Sequence, residues 1–282
     1  MKGFINLGNT CYLNSGLQMI IQNKDFCNII LALRNKSDIL EEFSKFIDEY
    51  YNDSNEPLKP KFIKKIVAKR NEMFAGFQQQ DSSEFIIFLL DLINEEINKF
   101  TNNKNVIEKI FEIHSTTFTK CKVLSCLNIS ENVEKSTILM LNVNQECKNL
   151  DECFNFSKQK VKLEGDEKYF CEKCNKKRIA SQRKDITKWP KNLIVWLRRF
   201  EQKGSKISKY SQEILVPIEW RNNYQLTGVV FHSGSLFGGH YIYAGKINNE
   251  WYLFNDSSVS QLRKPDLANL INNGYIYYYV QS

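Results

Sequence analysis

Residues 3–18 read GFINLGNTCYLNSGLQ, which places one cysteine at the start of an amphipathic helix. Apolar residues then follow at the spacing of one buried helix face: Leu13, Leu17, Ile20 and Ile21. Asn9 and Thr10 are favourable N-cap residues, so Cys11 is expected in the first helical turn. There, unpaired N–H groups and the helix dipole favour an anion, which would lower the pKa of the thiol. A small buried hydrophobe is the alternative interpretation of this cysteine.

A histidine near the other end supplies a candidate base for this cysteine. His240, one of three histidines, begins an alternating run that is typical of a β-strand. An asparagine pair predicts a turn, and the run from Trp251 to Phe254 returns as the antiparallel partner. This hairpin would bring Asn255 and Asp256 beside His240, where a side-chain oxygen could accept from the imidazole Nδ1–H. The chain order of Cys, His and Asn or Asp is that of papain-like cysteine hydrolases.

Five segments in chain order resemble those of the ubiquitin-specific proteases, a family of deubiquitinating enzymes. They are a Cys box at 3–18, QQQDSSEFIIFLLDLI at 78–93, YFCEKCNKK at 169–177, LIVWLRRF at 193–200 and a His box at 224–259. The resemblance implies one catalytic domain over residues 1–282 with an α+β, papain-like fold. Its parts would be a helical thumb over about 1–110, zinc-bearing fingers over about 111–185 and a palm over about 186–282.

The resemblance implies a thiol-dependent deubiquitinase that cleaves the isopeptide, peptide or thioester-type bond after the last glycine of ubiquitin. Cys11 would be the nucleophile and His240 the base, with Asn255 orienting the imidazole and Asp256 supporting it. Asn6 matches the family's side-chain donor to the oxyanion, which the Cys11 backbone N–H would also bind. Two alternatives remain, a protease for another ubiquitin-like modifier and an inactive ubiquitin-binding protein. No catalytic cofactor is expected, and the sequence has no HExxH metalloprotease motif.

Six residues are predicted to contact the substrate: Asp81, Glu84, His232, Gly238, Gly239 and Tyr241. The spacing of Asp81 and Glu84 is close to that of a helix capping box, so a structural role is the alternative for both. The resemblance implies that these acids contact the basic tail of ubiquitin. His232 resembles a family histidine near that tail, and it could equally be structural. The two glycines lack a Cβ, which would let a substrate backbone pass close to His240.

The eight cysteines predict metal binding or catalysis rather than disulfides, because no signal-like apolar run follows Met1. Cys171 and Cys174 have chelating spacing. The family has a second Cys-x2-Cys pair upstream, whereas this chain has Cys121-x4-Cys126. These four thiolates would bind one structural zinc in the fingers. Two further cysteines in this region are alternative ligands: Cys147 and Cys153.

Composition places the chain among ordinary globular proteins, with 42% hydrophobic and 25% charged residues. No run approaches the roughly 20 apolar residues of a membrane span. The net charge of +7 raises the question of nucleic acid, but the most basic stretch, residues 59–70, is typical of an amphipathic helix with a solvated face. We therefore expect an intracellular monomer, in the cytoplasm, the nucleus or both. Its expected partners are ubiquitin and ubiquitinated proteins, without nucleic acid or membrane.

Overall fold

The computed structural model describes residues 1–102, 105–203, 206–235 and 238–282. The helices are α1 (Cys11–Ile21), α2 (Lys24–Ala32), α3 (Asp38–Tyr51), α4 (Lys61–Arg70), α5 (Ser82–Asn98), α6 (Val106–Phe111), α7 (Leu150–Ser157) and α8 (Lys264–Asn272). The first strands are β1 (Ile113–Cys121), β2 (Ile129–Ser136), β3 (Leu139–Asn142), β4 (Val161–Leu163), β5 (Tyr169–Cys171), β6 (Lys176–Arg178), β7 (Ala180–Lys188) and β8 (Asn192–Arg198). The others are β9 (Phe200–Lys203), β10 (Lys206–Lys209), β11 (Glu219–Trp220), β12 (Tyr224–Ser235), β13 (Gly238–Ile247), β14 (Glu250–Asn255), β15 (Ser258–Gln261) and β16 (Ile276–Gln281).

Helix α1 lies at the centre of the helical part, because all of its residues are buried. It packs against α5 on one side and against β13 of the large sheet on the other. Gly16 makes the first contact close, since a Cβ there would lie 2.9 Å from the ring of Phe85. The first hydrophobic core joins α1 to α6 with one face of the sheet. None of the helices in the described ranges is long and apolar enough to cross a membrane.

The large sheet has the strand order β15-β14-β13-β12-β16-β8-β3, and β11 pairs with β12. Its pairings are antiparallel except that of β3 with β8, which is parallel. Strand β16 is buried on both faces, because Ile276 and Tyr278 face the helical core whereas Tyr277 and Tyr279 face a second core. Residues from α7 and α8 cover this second face. The α+β class predicted from the sequence is confirmed.

A second sheet, with the order β2-β1-β7-β4, corresponds to the predicted fingers. The predicted boundary of about 111–185 differs from the structure in one respect. Residues 139–157, which form β3 and α7, leave the smaller sheet and join the large sheet and the second core. The fingers therefore consist of two separate stretches, 113–136 and 161–188. No local pattern predicts this change of sheet, because a short apolar run such as that of β3 is compatible with pairing in either sheet.

Candidate active site

Cys11 is the first residue of α1, in the first turn as predicted from the N-cap residues, and its side chain is buried. Thr10 is the N-cap residue, as predicted, but its side chain makes no capping hydrogen bond. Its Oγ1 instead accepts a hydrogen bond from the Leu7 N–H at 2.8 Å. Gly8 has a φ of +103° and Asn9 a φ of +51°, so the chain turns sharply just before the helix. This turn places the cysteine at the edge of the cleft between α1 and β13.

The pKa of the Cys11 thiol is raised, which is opposite to the prediction from the helix dipole alone. Burial is the largest cause, and it outweighs hydrogen bonds from the backbone N–H groups of Tyr241, Tyr12 and Cys11 itself. The negative charge of Asp256 raises this pKa further. The N–H of Tyr241 belongs to the residue after His240, so the sulfur lies beside the strand that carries the candidate base.

His240 and Asn255 meet as the hairpin prediction required. The antiparallel register of β13 and β14 ends with the pair Tyr243 and Phe254, so Asn255 lies just beyond the last pair, on the side towards His240. The Nε2 atom of His240 lies 2.7 Å from Oδ1 of Asn255. The prediction named Nδ1 for this contact, so it is corrected to Nε2. Because an amide oxygen only accepts, Nε2 carries the proton in the neutral imidazole, and Nδ1 is then an acceptor.

Both carboxylate oxygens of Asp256 are engaged by Asn6 and Asn14, so its predicted support of the imidazole stays a prediction. The residue has a φ of +50° in the turn after β14, which directs its side chain towards the N-terminal segment and α1. Its Oδ2 accepts from Nδ2 of Asn6 at 2.9 Å, and its Oδ1 accepts from Nδ2 of Asn14 at 2.7 Å. Its backbone carbonyl accepts from the Phe4 N–H at 2.8 Å. Asp256 therefore joins three separate segments beside the cysteine.

The carboxamide of Asn6 is fixed in orientation by its other contacts. Its Oδ1 accepts from the N–H groups of Gly8 at 3.0 Å and Thr10 at 3.1 Å. These bonds turn Nδ2 towards Asp256, which uses one of the two amide hydrogens. The second hydrogen is the one that would bind an oxyanion formed at Cys11.

Four of the six predicted substrate-contacting residues line one cavity of about 300 Å³: Asp81, Glu84, His232 and Tyr241. Asp81 is the N-cap of α5, and its Oδ1 accepts from the Ser83 N–H at 2.7 Å. Its Oδ2 accepts from the hydroxyl of Tyr275 at 2.5 Å and from that of Tyr241 at 3.4 Å. The capping role is thus present, and these bonds also tie α5 to the palm. Glu84 is exposed, and partial burial together with the charge of Asp81 raises the pKa of its carboxyl group.

His232 is buried against Tyr241, with the two ring centres 4.4 Å apart. Burial and the charge of Lys209 lower the pKa of His232 to about 4, so the imidazole is neutral at physiological pH. Among the described residues, its buried Nδ1 has no hydrogen-bond partner. A Cβ at Gly239 would overlap Nε2 of His232, whereas nothing lies within 4 Å of one at Gly238. Packing against His232 therefore requires a glycine at position 239. Open space is found instead at Gly238.

One residue of the site had no predicted role. Gln79 donates a hydrogen bond from Nε2 to the Gly239 carbonyl at 2.8 Å and accepts one at Oε1 from the Gly239 N–H at 2.5 Å. It also lines the cavity. The only signal in the sequence was a run of three glutamines, in which nothing distinguishes the middle one.

The fingers bring together the four predicted metal-binding cysteines: Cys121, Cys126, Cys171 and Cys174. Their sulfur atoms all lie within 4.8 Å of one another, and those of Cys126 and Cys171 are 3.6 Å apart. A tetrahedral zinc with bonds of about 2.3 Å needs sulfur atoms roughly 3.8 Å apart, so the group has a suitable size. The two alternative ligands, Cys147 and Cys153, lie in the second hydrophobic core instead.

The chain belongs to the ubiquitin carboxyl-terminal hydrolase family, whose model matches residues 2–279. It is similar to ubiquitin carboxyl-terminal hydrolase 4 of Vanderwaltozyma polyspora, at 26% identity over 98% of this chain and 40% of that protein. It is 30% identical to ubiquitin carboxyl-terminal hydrolase 12 of Salmo salar, over 92% of this chain and 81% of that protein. The chain thus spans less than half the length of the first relative and most of the second.

Two solved structures that are similar to this chain contain ubiquitin. One is the SAGA DUB module of Ubp8, Sgf11, Sus1 and Sgf73 bound to monoubiquitin, with a TM-score of 0.85, 27% identity and coverage of 100% of this chain and 69% of that one. Another is the same module bound to ubiquitin aldehyde, with a TM-score of 0.84, 26% identity and coverage of 100% and 70%. The family and the papain-like fold inferred from the five sequence segments are confirmed.

Proposed function

We propose that this chain is a cysteine-type deubiquitinase that hydrolyses the bond after the C-terminal glycine of ubiquitin. The observation that supports the proposal is that a thiol, an oriented imidazole and a fixed amide donor, from three distant parts of the chain, lie around the contact of α1 with β13. Cys11 comes from α1, the His240–Asn255 pair from β13 and β14, and Asn6 from the segment before α1. Membership of the family and the ubiquitin-bound structural neighbours support ubiquitin as the substrate.

The proposed mechanism follows from these positions. Nδ1 of His240 takes the proton of the Cys11 thiol, and the thiolate attacks the carbonyl carbon of the last glycine. The backbone N–H of Cys11 and Nδ2 of Asn6 bind the oxygen that becomes negatively charged. The imidazolium then protonates the leaving amine, and the thioester remains on Cys11. Water attacks this thioester with His240 again acting as base, which releases ubiquitin and restores the thiol.

We propose that the four-cysteine cluster binds one structural zinc ion. The cysteines come from the end of β1, the turn after it, the end of β5 and the short turn that follows. An ion held by all four thiolates would cross-link these segments and leave no coordination position for water, so it would have no catalytic role. The reaction is carried by the thiol and the imidazole.

Hydrolysis of a panel of modifiers tests the proposed substrate. Ubiquitin and other ubiquitin-like modifiers, each carrying a fluorogenic C-terminal amide, would be incubated with the protein. We expect turnover of ubiquitin at a higher kcat/KM than that of any other modifier. Turnover of another modifier alone would instead identify the chain as a protease for that modifier. Ubiquitin binding without turnover would identify an inactive binding protein.

An intracellular location in the cytoplasm or nucleus and a monomeric state are further proposals. None of the eight cysteines, all of which lie in the described ranges, forms a disulfide, as is typical of a reducing compartment. The cleft and the residues around it come from a single chain, so the proposed reaction needs no second copy. Sedimentation of the purified protein would test the monomeric state, and imaging of the tagged protein would test the location.

A further inference from the structure

The segment 77–82, which leads into α5, contacts both sides of the catalytic cleft. On the cysteine side, the Phe77 carbonyl accepts from Nδ2 of Asn9 at 2.8 Å, and Oγ of Ser82 donates to the Tyr12 carbonyl at 2.9 Å. On the histidine side, the same segment contacts the two residues that flank His240. These contacts are made by Gln79 to Gly239 and by Asp81 to Tyr241. One short segment is therefore bonded to the neighbours of both reacting groups.

The contact of Gln79 replaces a missing strand at the start of β13. The pairing of β13 with β14 begins only at Tyr243, so Gly239 has no strand neighbour on that side. The carboxamide of Gln79 uses both the N–H and the carbonyl of Gly239, as a neighbouring strand would. Two bonds to one residue restrict the position of its peptide plane as well as its distance. These two bonds therefore hold the start of β13, which carries His240, along the edge that β14 leaves unpaired.

The same edge of β13 also reaches the nucleophile. Backbone groups repeat their direction every second residue along a strand, so Gly239 and Tyr241 present their N–H groups to the same side. The N–H of Tyr241 points at the Cys11 sulfur. Holding Gly239 therefore fixes both the imidazole, one residue later, and the amide that contacts the thiol.

We propose that Gln79 is a positioning residue that sets the distance between His240 and Cys11 by holding the backbone of Gly239. This inference rests on the proposed function, because it assigns Gln79 to the same cysteine–histidine site. The side chain itself does not exchange a proton or touch the reacting carbonyl. Its effect passes through the backbone of the residue before the base. A misplacement of about 1 Å can slow an enzyme by roughly 100-fold, so a pair of hydrogen bonds at this point matters for the rate.

Replacement of Gln79 by methionine tests the proposal, because methionine has a similar length but neither hydrogen-bonding group. The matched control is Gln78→Met, since Gln78 is the exposed neighbour of the same type. For Gln79→Met we expect kcat on a fluorogenic ubiquitin amide to fall by about 10- to 100-fold, with KM changed by less than about threefold. The control is expected to keep both values. Thermal unfolding of each variant checks that the fold is intact.

A second measurement does not depend on the substrate. The rate of alkylation of Cys11 by iodoacetamide at pH 7 is expected to fall in Gln79→Met towards that of His240→Ala, because the first change moves the base away from the thiol and the second removes the base. If the wild type hydrolysed no ubiquitin substrate, this comparison would still test Gln79. An unchanged kcat and alkylation rate in Gln79→Met would overturn the proposal. A lower KM with unchanged kcat would also overturn it, and would mean that Gln79 competes with the substrate for Gly239.

Discussion

Asp256 accepts a hydrogen bond from Nδ2 of Asn6 at 2.9 Å, across 250 positions of sequence. The bond fixes the amide that is proposed to bind the oxyanion, whereas Asn255, the preceding residue, holds the imidazole at 2.7 Å. Two adjacent residues at the end of β14 therefore bond to different partners, one in the segment before α1 and one in β13. The φ of +50° at Asp256 makes this divergence of the two side chains feasible.

Replacing Asp256 by alanine should reduce kcat more than replacing Asn255 by alanine. The first change frees the Asn6 amide, and loss of one oxyanion donor costs about 100- to 1,000-fold in rate. The second change only loosens the orientation of the imidazole, for which we expect about 10-fold. KM on a fluorogenic ubiquitin amide should change little in either variant. The loss of kcat in Asn6→Ala should be of the same order of magnitude as that in Asp256→Ala. A larger loss of kcat in Asn255→Ala than in Asp256→Ala would contradict the assignment.

Neutralising Asp256 should lower the pKa of the Cys11 thiol while slowing the reaction. The carboxylate charge is one of the causes that raise this pKa, and removing a negative charge favours the thiolate. In Asp256→Asn, the midpoint of Cys11 alkylation against pH is therefore expected to move to lower pH. Asn255→Ala is the control, because it removes no charge and should leave the midpoint in place. A shift to higher pH in Asp256→Asn would show that the two groups do not interact as described.

His232→Leu should weaken substrate binding without lowering stability much. An unpaired buried nitrogen costs about 1–3 kcal/mol, and the stacking of His232 on Tyr241 is worth about 0.5–1.5 kcal/mol, so the two losses offset each other. If the free Nδ1 accepts a bond from the ubiquitin tail, KM should rise about three- to 10-fold at unchanged kcat. Phe231→Leu, on the other face of β12, is the control.

The pH dependence of that effect follows from the pKa of His232. Since burial lowers this pKa to about 4, the imidazole stays neutral as the pH falls from 8 to 5. The ratio of KM between His232→Leu and the wild type is therefore expected to be constant over this range. A ratio that changes near pH 6.5, the ordinary value for histidine, would mean that His232 titrates there and is solvated.

Zinc binding should depend on Cys174 and not on Cys147. Metal analysis of the purified protein is expected to give one zinc per chain, and Cys174→Ser is expected to lose most of it because a four-thiolate site is left with three ligands. Cys147→Ser should retain the metal, since Cys147 lies in the second core. Absence of zinc from the wild type, or its loss from Cys147→Ser, would contradict the proposed ligand set.

Local patterns predicted the parts of the site that lie on single elements. The apolar face of α1 predicted the helix, and its N-cap residues predicted Cys11 in the first turn. The hairpin after His240 predicted its contact with Asn255, because both predictions depend on residues close in sequence. The contacts of Asp256 with Asn6 and of Gln79 with Gly239 join residues 250 and 160 positions apart. The periodicity of apolar residues in the sequence does not predict contacts between residues so far apart. The pKa of Cys11 was mispredicted for the same reason, since its largest cause is burial by distant segments.

The central claim is that Cys11, activated by His240, breaks the bond after the last glycine of ubiquitin. Its most direct test is the rate of hydrolysis of a fluorogenic C-terminal ubiquitin amide by the wild type, Cys11→Ser and His240→Ala, with ubiquitin affinity measured for each. We predict turnover by the wild type and at least a 1,000-fold loss in both variants, at roughly unchanged affinity. Residual turnover by Cys11→Ser near the wild-type rate would place the nucleophile elsewhere and contradict this account.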